Sequence, residues 1–101
     1  MKKIINGKLY NTETAKLVGS ARYSYPGDFS FWREELYQKK TGEFFLYGEG
    51  GPMTKYSRSI GSNTTAGGEE IIPLTVKEAK EWAEKYLEVE EYEQIFGKVE
   101  E

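Results

Sequence analysis

The sequence predicts an α+β fold, a small twisted antiparallel sheet of two hairpins plus a short strand, with a C-terminal helix packed on one face. Two turn signals, Asn6-Gly7 and Thr41-Gly42, lie between stretches rich in aliphatic and aromatic residues. A capped amphipathic stretch begins at Thr75. The 101 residues match the usual size of one domain. We therefore expect residues 1–101 to form a single domain, with residues 98–101 as a mobile acidic tail.

The first hairpin is predicted at the N-terminus. Residues 2–5 and 8–10 have the apolar content of short strands, and they flank Asn6-Gly7. Asparagine followed by glycine supplies the positive φ angles that both central positions of a type I′ turn require. We therefore expect the two strands to pair directly across this turn.

The next segment, residues 11–19, is predicted to form a short helix. Asn11 or Thr12 can cap its N-terminus, and Gly19 can adopt the left-handed conformation that commonly follows a helix. Residues 22–25 then alternate like a strand, and the proline and glycine that follow end this pattern.

The second hairpin is predicted around Thr41-Gly42. Residues 31–40 lead into this turn and residues 43–47 leave it, with the glycine in the left-handed position of a bulged turn. A helix over residues 30–38 is the alternative, because glutamate and leucine are good helix formers. We favour a strand, since the apolar stretch 44–47 requires a hydrogen-bonding neighbour.

Residues 48–68 are predicted to hold little regular structure. Residues 48–52 are rich in glycine and end the second hairpin, and residues 53–68 form a long polar connection. A short strand is expected at residues 70–74, where Pro73 restricts it to an edge or an end of the sheet.

The strongest secondary-structure signal is the C-terminal helix, where Thr75 and Glu78 have the spacing of a capping box. A second short helix is predicted from Glu90 to Phe96, ending at Gly97. Apolar residues within ~140° of helical arc are predicted to face the sheet: Val76, Ala79, Trp82, Ala83, Tyr86 and Leu87. The expected core contains Ile5, Phe45, Tyr47, Trp82 and Tyr86.

The composition argues against an enzyme. The chain has no His and no Cys, which excludes a Ser-His-Asp triad, a Cys nucleophile, a Cys/His zinc site and any disulfide. Glu34 and Glu35 cannot converge as a catalytic pair, because neighbouring strand residues point to opposite faces. Charge pairing with Arg33, Lys39 and Lys40 across the hairpin is a simpler role for these two residues and for Glu43 and Glu49. We expect no catalytic residue, no metal site and no cofactor.

No targeting or membrane segment is apparent in the sequence. The basic start, Lys2-Lys3, precedes only two apolar residues, which is too short a run for a signal peptide. No stretch approaches the ~20 apolar residues of a membrane span. We therefore expect a cytoplasmic protein that has no membrane partner.

The charge is distributed unevenly along the chain. Residues 1–68 carry ten basic and six acidic residues, whereas residues 69–101 carry four basic and eleven acidic residues. Such polarity favours a large charged partner over a small substrate. The alternative is that the two halves pair with each other or remain solvated.

Basic residues near aromatic residues form a candidate site for a partner or a nucleic acid. Phosphates would contact the basic groups and bases would stack on the rings. The alternative is that the rings belong to the core. The basic set consists of Arg33, Lys39, Lys40, Lys55 and Arg58.

The C-terminal glutamates form a second candidate site, which could occupy a basic groove built for nucleic acid and displace it. The alternative is a solvated helix face, supported by i,i+4 ion pairs. Those pairs would be Lys77–Glu81, Lys80–Glu84 and Glu81–Lys85. The acidic surface consists of Glu81, Glu84, Glu88, Glu90, Glu91 and Glu93.

Three stretches carry a family resemblance: residues 5–15 (INGKLYNTETA), residues 40–51 (KTGEFFLYGEGG) and residues 72–82, in which IPLT is followed by Glu78-Ala79 and Trp82. Together they resemble small phage and mobile-element proteins of Gram-positive bacteria. Some small proteins encoded in such elements are anti-CRISPR inhibitors of the Cas9 type. The resemblance therefore implies a host-defence inhibitor, and it brings no catalytic residues with it.

These observations favour a protein that binds without turnover. The expected partner is a Cas9 nuclease or its guide-RNA complex, bound through charged surfaces. The first alternative is a nucleic-acid-binding accessory or regulatory protein of a mobile element. The second is a homo-oligomeric interaction module, with a homodimer as its simplest form.

Overall fold

The computed structural model describes residues 1–101 as eight strands followed by two helices. The strands are β1 (Lys2–Ile5), β2 (Lys8–Asn11), β3 (Lys16–Tyr23), β4 (Trp32–Gln38), β5 (Phe44–Gly50), β6 (Arg58–Gly61), β7 (Thr64–Ala66) and β8 (Gly68–Leu74). The helices are α1 (Val76–Tyr86) and α2 (Val89–Phe96). All strand pairs are antiparallel. The α+β class is therefore confirmed.

The central sheet has the strand order β3-β4-β5-β8. The β1–β2 hairpin forms a separate two-stranded sheet instead of joining it, and β6–β7 forms another. The helices pack on one face of the central sheet and the β1–β2 hairpin packs on the other. The molecule therefore has three layers and two apolar clusters.

Alternation along the strands separates the two clusters. On the helix face, Leu36 and Leu46 contact Trp82 and its neighbours on α1. On the opposite face, the Phe45 ring stacks on Tyr37 with centroids 5.3 Å apart, and the edge of Tyr10 meets it at 5.5 Å.

The core prediction is largely confirmed. Phe45, Tyr47 and Trp82 are buried, while Ile5 and Tyr86 are half-buried. Val76 was expected in the core stripe, but it lies in the first turn of α1 and its side chain is 53% exposed.

The predicted turns and caps form as the local sequence indicates. Asn6 and Gly7 have φ angles of 52° and 78°, and Gly42 has a φ angle of 95°. Strand β4 replaces the alternative helix over 30–38. The capping box of α1 is complete, because the Thr75 hydroxyl accepts from the Glu78 amide and the Glu78 carboxylate accepts from the Thr75 amide.

The predicted helix over residues 11–19 is wrong. One turn forms, in which the Thr14 and Ala15 amides donate to the Asn11 carbonyl, and the chain then extends into β3. Gly19 lies in the extended strand directly beneath Leu87, where an added Cβ would come 2.8 Å from Leu87 Cδ1. Pairing with β4 and packing beneath the helices override the weak local helix signal.

The region between residues 48 and 68 holds more strand than predicted. Strand β5 continues to Gly50, β8 begins at Gly68, and β6 and β7 form a third hairpin within the polar connection. As expected, β8 lies at an edge of the central sheet. Neither helix has the length and apolar character needed to cross a membrane.

Candidate functional site

Glu34 is a carboxylate buried on the helix face of the central sheet. Its side chain is 2% exposed, because strand alternation places it on the same face as Leu36. Glu35 points to the opposite face, where it accepts a hydrogen bond from the Tyr37 hydroxyl at 3.1 Å. The expected pairing with Arg33, Lys39 and Lys40 is therefore wrong for Glu34 and Glu35, but Glu49 pairs with Arg33 at 3.2 Å and Glu43 pairs with Lys39 at 3.9 Å.

Three donors converge on the Glu34 carboxylate. The Tyr56 hydroxyl donates to Oε2 at 2.5 Å, and the indole Nε1 of Trp82 donates to Oε1 at 2.8 Å. The Lys55 ammonium forms an ion pair with Oε2 at 2.8 Å. The donors come from α1 and from the segment between β5 and β6, so the carboxylate ties both to the central sheet.

The surroundings of Glu34 set the protonation of the network. Burial alone would raise the pKa of its carboxyl group, but the bonds from Lys55, Tyr56 and Trp82 outweigh burial and lower the pKa. Burial and the Glu34 carboxylate raise the pKa of the Tyr56 phenol. At neutral pH, Glu34 is therefore an acceptor and Tyr56 is a donor.

Gly48 makes room for this network. It lies opposite Glu34 in the register of β4 and β5, and the Tyr56 ring crosses the space above it. A Cβ at this position would overlap the Tyr56 hydroxyl. The glycine-rich residues 48–50, which the sequence predicts to end the hairpin, therefore belong to strand β5, and the Tyr56 ring packs against Gly48.

An open cleft of about 380 Å³ lies beside Glu34. Its wall is aromatic, because the Trp32 ring stacks near Tyr23 with centroids 6.4 Å apart and meets Tyr86 edge-on at 5.5 Å. The lining residues are Tyr23, Ser30, Trp32, Glu34, Met53, Thr54, Lys55 and Tyr86. No group of three or more acidic side chains is placed to hold a metal ion.

The structure does not bring the basic set together. Lys39 and Lys40 follow the end of β4 at Gln38, whereas Arg33 lies near its beginning, ~20 Å away at the rise of a strand. The Lys39 ammonium lies 3.7 Å from the centroid of the Tyr10 ring.

The remaining members of the basic set have local partners at the other end of the sheet. Arg33 pairs with Glu49 at 3.2 Å and Lys55 pairs with Glu34. Arg58 Nε donates to the Gly67 carbonyl at 3.2 Å. Only Lys40 is exposed with no ion pair or side-chain hydrogen bond.

The six glutamates of the acidic surface lie within residues 81–93 and have no ion-pair partners. None of them lies within 4.0 Å of a basic group. The expected pairs of Glu81 and Glu84 with lysines do not form. The Lys80 and Lys85 ammonium groups instead lie 5.8 and 5.2 Å from the ring centroids of Phe96 and Tyr86.

The acidic surface is densest around α2. Residues 86–97 contain four glutamates and no basic residue. Glu84 and Glu93 line one open groove of about 360 Å³ between the helices, together with apolar side chains that include Val99 from the predicted tail. Glu91 accepts a hydrogen bond from the Glu88 amide at 3.2 Å, which fixes the start of α2.

The sequence interpretation missed the network around Glu34. Lys55 and Tyr56 fall in the polar connection that the sequence predicts at residues 53–68, so no local signal indicates their contact with β4. Two signals were available. Strand alternation places Glu34 on the same face as the core residue Leu36, and the N–H of a buried tryptophan usually donates a hydrogen bond.

Comparison with known proteins found no match to a protein-family model, a curated protein or a solved structure. The structure itself defines an α+β domain that has a buried polar network, an aromatic cleft and an acidic helical surface.

Proposed function

We propose that this protein is a non-catalytic anti-CRISPR protein that binds a Cas9-type RNA-guided nuclease, alone or with its guide RNA, and inhibits it by occupancy. The observation that carries the proposal is the acidic surface. Its glutamates lie on α1, α2 and their connection and have no basic partner within the molecule. Carboxylates left free in this way are available to a basic partner.

A groove that holds nucleic acid is lined by lysine and arginine, which neutralise phosphates. A rigid helical pair that presents spaced carboxylates is complementary to such a groove, and it adds steering and specificity to binding. The helices are held firmly, because α2 packs on the sheet through Phe96, whose ring centroid lies 5.4 Å from that of Phe44. We place this action in the cytoplasm of a bacterial host.

The resemblance to phage and mobile-element proteins supports the choice of nuclease. Its second stretch forms the turn after β4 and the whole of β5, and its third stretch forms the end of β8 and the start of α1. These stretches build the sheet and the helix start that hold the acidic surface.

The test is a titration of DNA cleavage. Purified protein is mixed with Cas9 and guide RNA, and cleavage is measured against the molar ratio for several Cas9 orthologues. A stoichiometric inhibitor is expected to abolish cleavage near equimolar ratio for at least one orthologue. Normal cleavage at large excess for every orthologue would overturn the proposal.

Charge reversal then tests the surface itself. The double substitution Glu90→Lys with Glu93→Lys is expected to raise the inhibitory concentration at least about tenfold, because it replaces attraction by repulsion. The matched control reverses Glu13 and Glu70, which are exposed and free of ion pairs. Equal inhibition by both double variants would exclude the acidic surface as the contact.

The two alternative functions are separated by measurements on the isolated protein. An accessory nucleic-acid-binding protein would bind RNA or DNA with strong salt dependence, and reversing Lys39 and Lys40 would weaken that binding. A homo-oligomeric module would show a mass above that of one chain in light scattering.

A further inference from the structure

The cleft beside Glu34 presents aromatic faces that the core does not use. Tyr23 is 56% exposed and Met53 is 70% exposed, although both line the cleft. Trp32 is only half-buried, between Tyr23 and Tyr86. Large apolar side chains gathered at a concave surface are typical of a ligand site.

The lining residues of this cleft carry no net charge, although the whole chain carries −3. Glu34 is the only carboxylate among the lining residues, and three donors already satisfy it. The Lys55 side chain is 65% exposed, and one of the three N–H donors of its ammonium group points to Glu34. The Lys85 ammonium lies 5.2 Å from the centroid of the Tyr86 ring. One ammonium group therefore lines the cleft, and a second lies near Tyr86, one of the aromatic residues of its wall.

These features fit a ligand with a flat aromatic face and an adjacent negative charge. A cationic ligand would meet the Lys55 ammonium and no free carboxylate. A purely apolar ligand would leave the lysines unused. A nucleotide satisfies both requirements, since its base stacks on rings and its phosphate accepts from lysine.

The dimensions favour one nucleotide. The cleft volume of about 380 Å³ lies near the lower end of the range for small-molecule sites. It accommodates one base with its sugar and phosphate. Because a paired base has no exposed face to place against the wall, the base must be unpaired.

We infer that the cleft between the end of β3, the start of β4, the segment after β5 and the end of α1 binds a single unpaired nucleotide. The base stacks on the wall formed by Trp32 and Tyr23, and the phosphate lies near Lys55 and Lys85. The nucleotide is either free or part of a single strand. This inference does not depend on the proposed nuclease inhibition.

The experiment measures binding by the isolated full-length chain. Fluorescence anisotropy follows labelled oligouridylate and oligothymidylate of about ten nucleotides, and calorimetry follows uridine and adenosine monophosphate. Binding of the strands alone assigns the site to single-stranded nucleic acid. Comparable binding of the monophosphates assigns it to free nucleotides, and either result supports the inference.

Two pairs of variants locate the binding. Tyr23→Ser is expected to raise the dissociation constant about five- to 100-fold, whereas Tyr25→Ser, at an equally exposed ring outside the cleft, leaves it unchanged. Lys85→Glu is expected to weaken binding and to reduce its salt dependence by about one ion. Lys77→Glu makes the same charge change at the other end of α1 and is the control.

Two outcomes would overturn the inference. The first is no binding of strands or monophosphates at millimolar concentration. The second is equal weakening by Tyr23→Ser and Tyr25→Ser. If no nucleotide binds but Tyr23→Ser abolishes nuclease inhibition, the cleft is a protein contact and the inference is wrong.

Discussion

Replacing Trp82 by alanine is expected to lower the free energy of unfolding by ~3–5 kcal/mol. The indole is 9% exposed in the centre of the helix-face cluster, and its ring centroid lies 5.3 Å from that of Tyr86. Truncation removes this packing and also the Nε1–H that donates to Glu34. Urea unfolding followed by circular dichroism measures the loss.

Two further substitutions show whether the loss comes from the core. Val76→Ala removes an apolar side chain from the same helix, but Val76 is 53% exposed, so a loss of less than about 0.5 kcal/mol is expected. Trp82→Phe keeps most of the packing and removes the N–H, so an intermediate loss of about 1–3 kcal/mol is expected. A loss below half a kcal/mol for Trp82→Ala would contradict the buried placement.

Local signals were sufficient where the backbone itself imposes the structure. Asn6-Gly7 and Gly42 require positive φ angles that few residues adopt, and Thr75 with Glu78 satisfies amides that a helix start leaves free. These features depend on neighbours in sequence. The two helices and both predicted hairpins therefore form where the sequence indicates.

Local signals failed where distant residues decide the structure. Residues 11–19 carry a cap and a terminal glycine, yet pairing with β4 and the packing of Leu87 over Gly19 make residues 16–19 part of strand β3. Both contacts join residues far apart in sequence, so no local window contains them. The β6–β7 hairpin is different, because it is local: its paired residues are at most eight positions apart, Asn63 between the strands has a φ angle of 60°, and both strands are too short to give a clear pattern.

The candidate site was predictable only in part. The acidic surface follows from composition and helical spacing, so its exposure could be expected, whereas the absence of ion pairs depends on where the lysine side chains point. The cleft and the buried Glu34 depend on Gly48 leaving room for Tyr56, a residue 22 positions from Glu34.

The second large effect is expected at Glu34. Glu34→Leu leaves the Tyr56 hydroxyl and the Trp82 N–H without their acceptor, and each orphaned buried donor costs ~1–3 kcal/mol. Removal of the desolvated carboxylate offsets part of this cost. We therefore expect a net loss of about 2–4 kcal/mol at neutral pH. Glu70→Leu, at an exposed position that pairs with Gly48, is the control and is expected to change little.

The loss should depend on pH in one direction. The pKa of Glu34 is lowered from 4.5 in the folded state. Its carboxylate therefore stabilises the fold fully at a pH above the pKa of the unfolded state. This contribution is lost as the pH falls through the lower pKa of the folded state. Asp28, Glu43 and Glu78 also have lowered pKa values. These three residues are present in both the native chain and Glu34→Leu, so their contributions cancel when the two free energies of unfolding are subtracted. The difference in the free energy of unfolding between the native chain and Glu34→Leu should decrease on acidification from about pH 7 to about pH 3.

Tyr56→Phe gives the most specific form of this prediction, because its effect should change sign with the residue at position 34. In the native chain it removes a hydrogen bond to a buried carboxylate, so it should destabilise the fold by about 1–3 kcal/mol. In the Glu34→Leu background it removes an orphaned hydroxyl and should stabilise the fold. A non-interacting pair would give equal effects in both backgrounds. Equal losses from urea unfolding would therefore mean that Tyr56 and Glu34 do not act as one network.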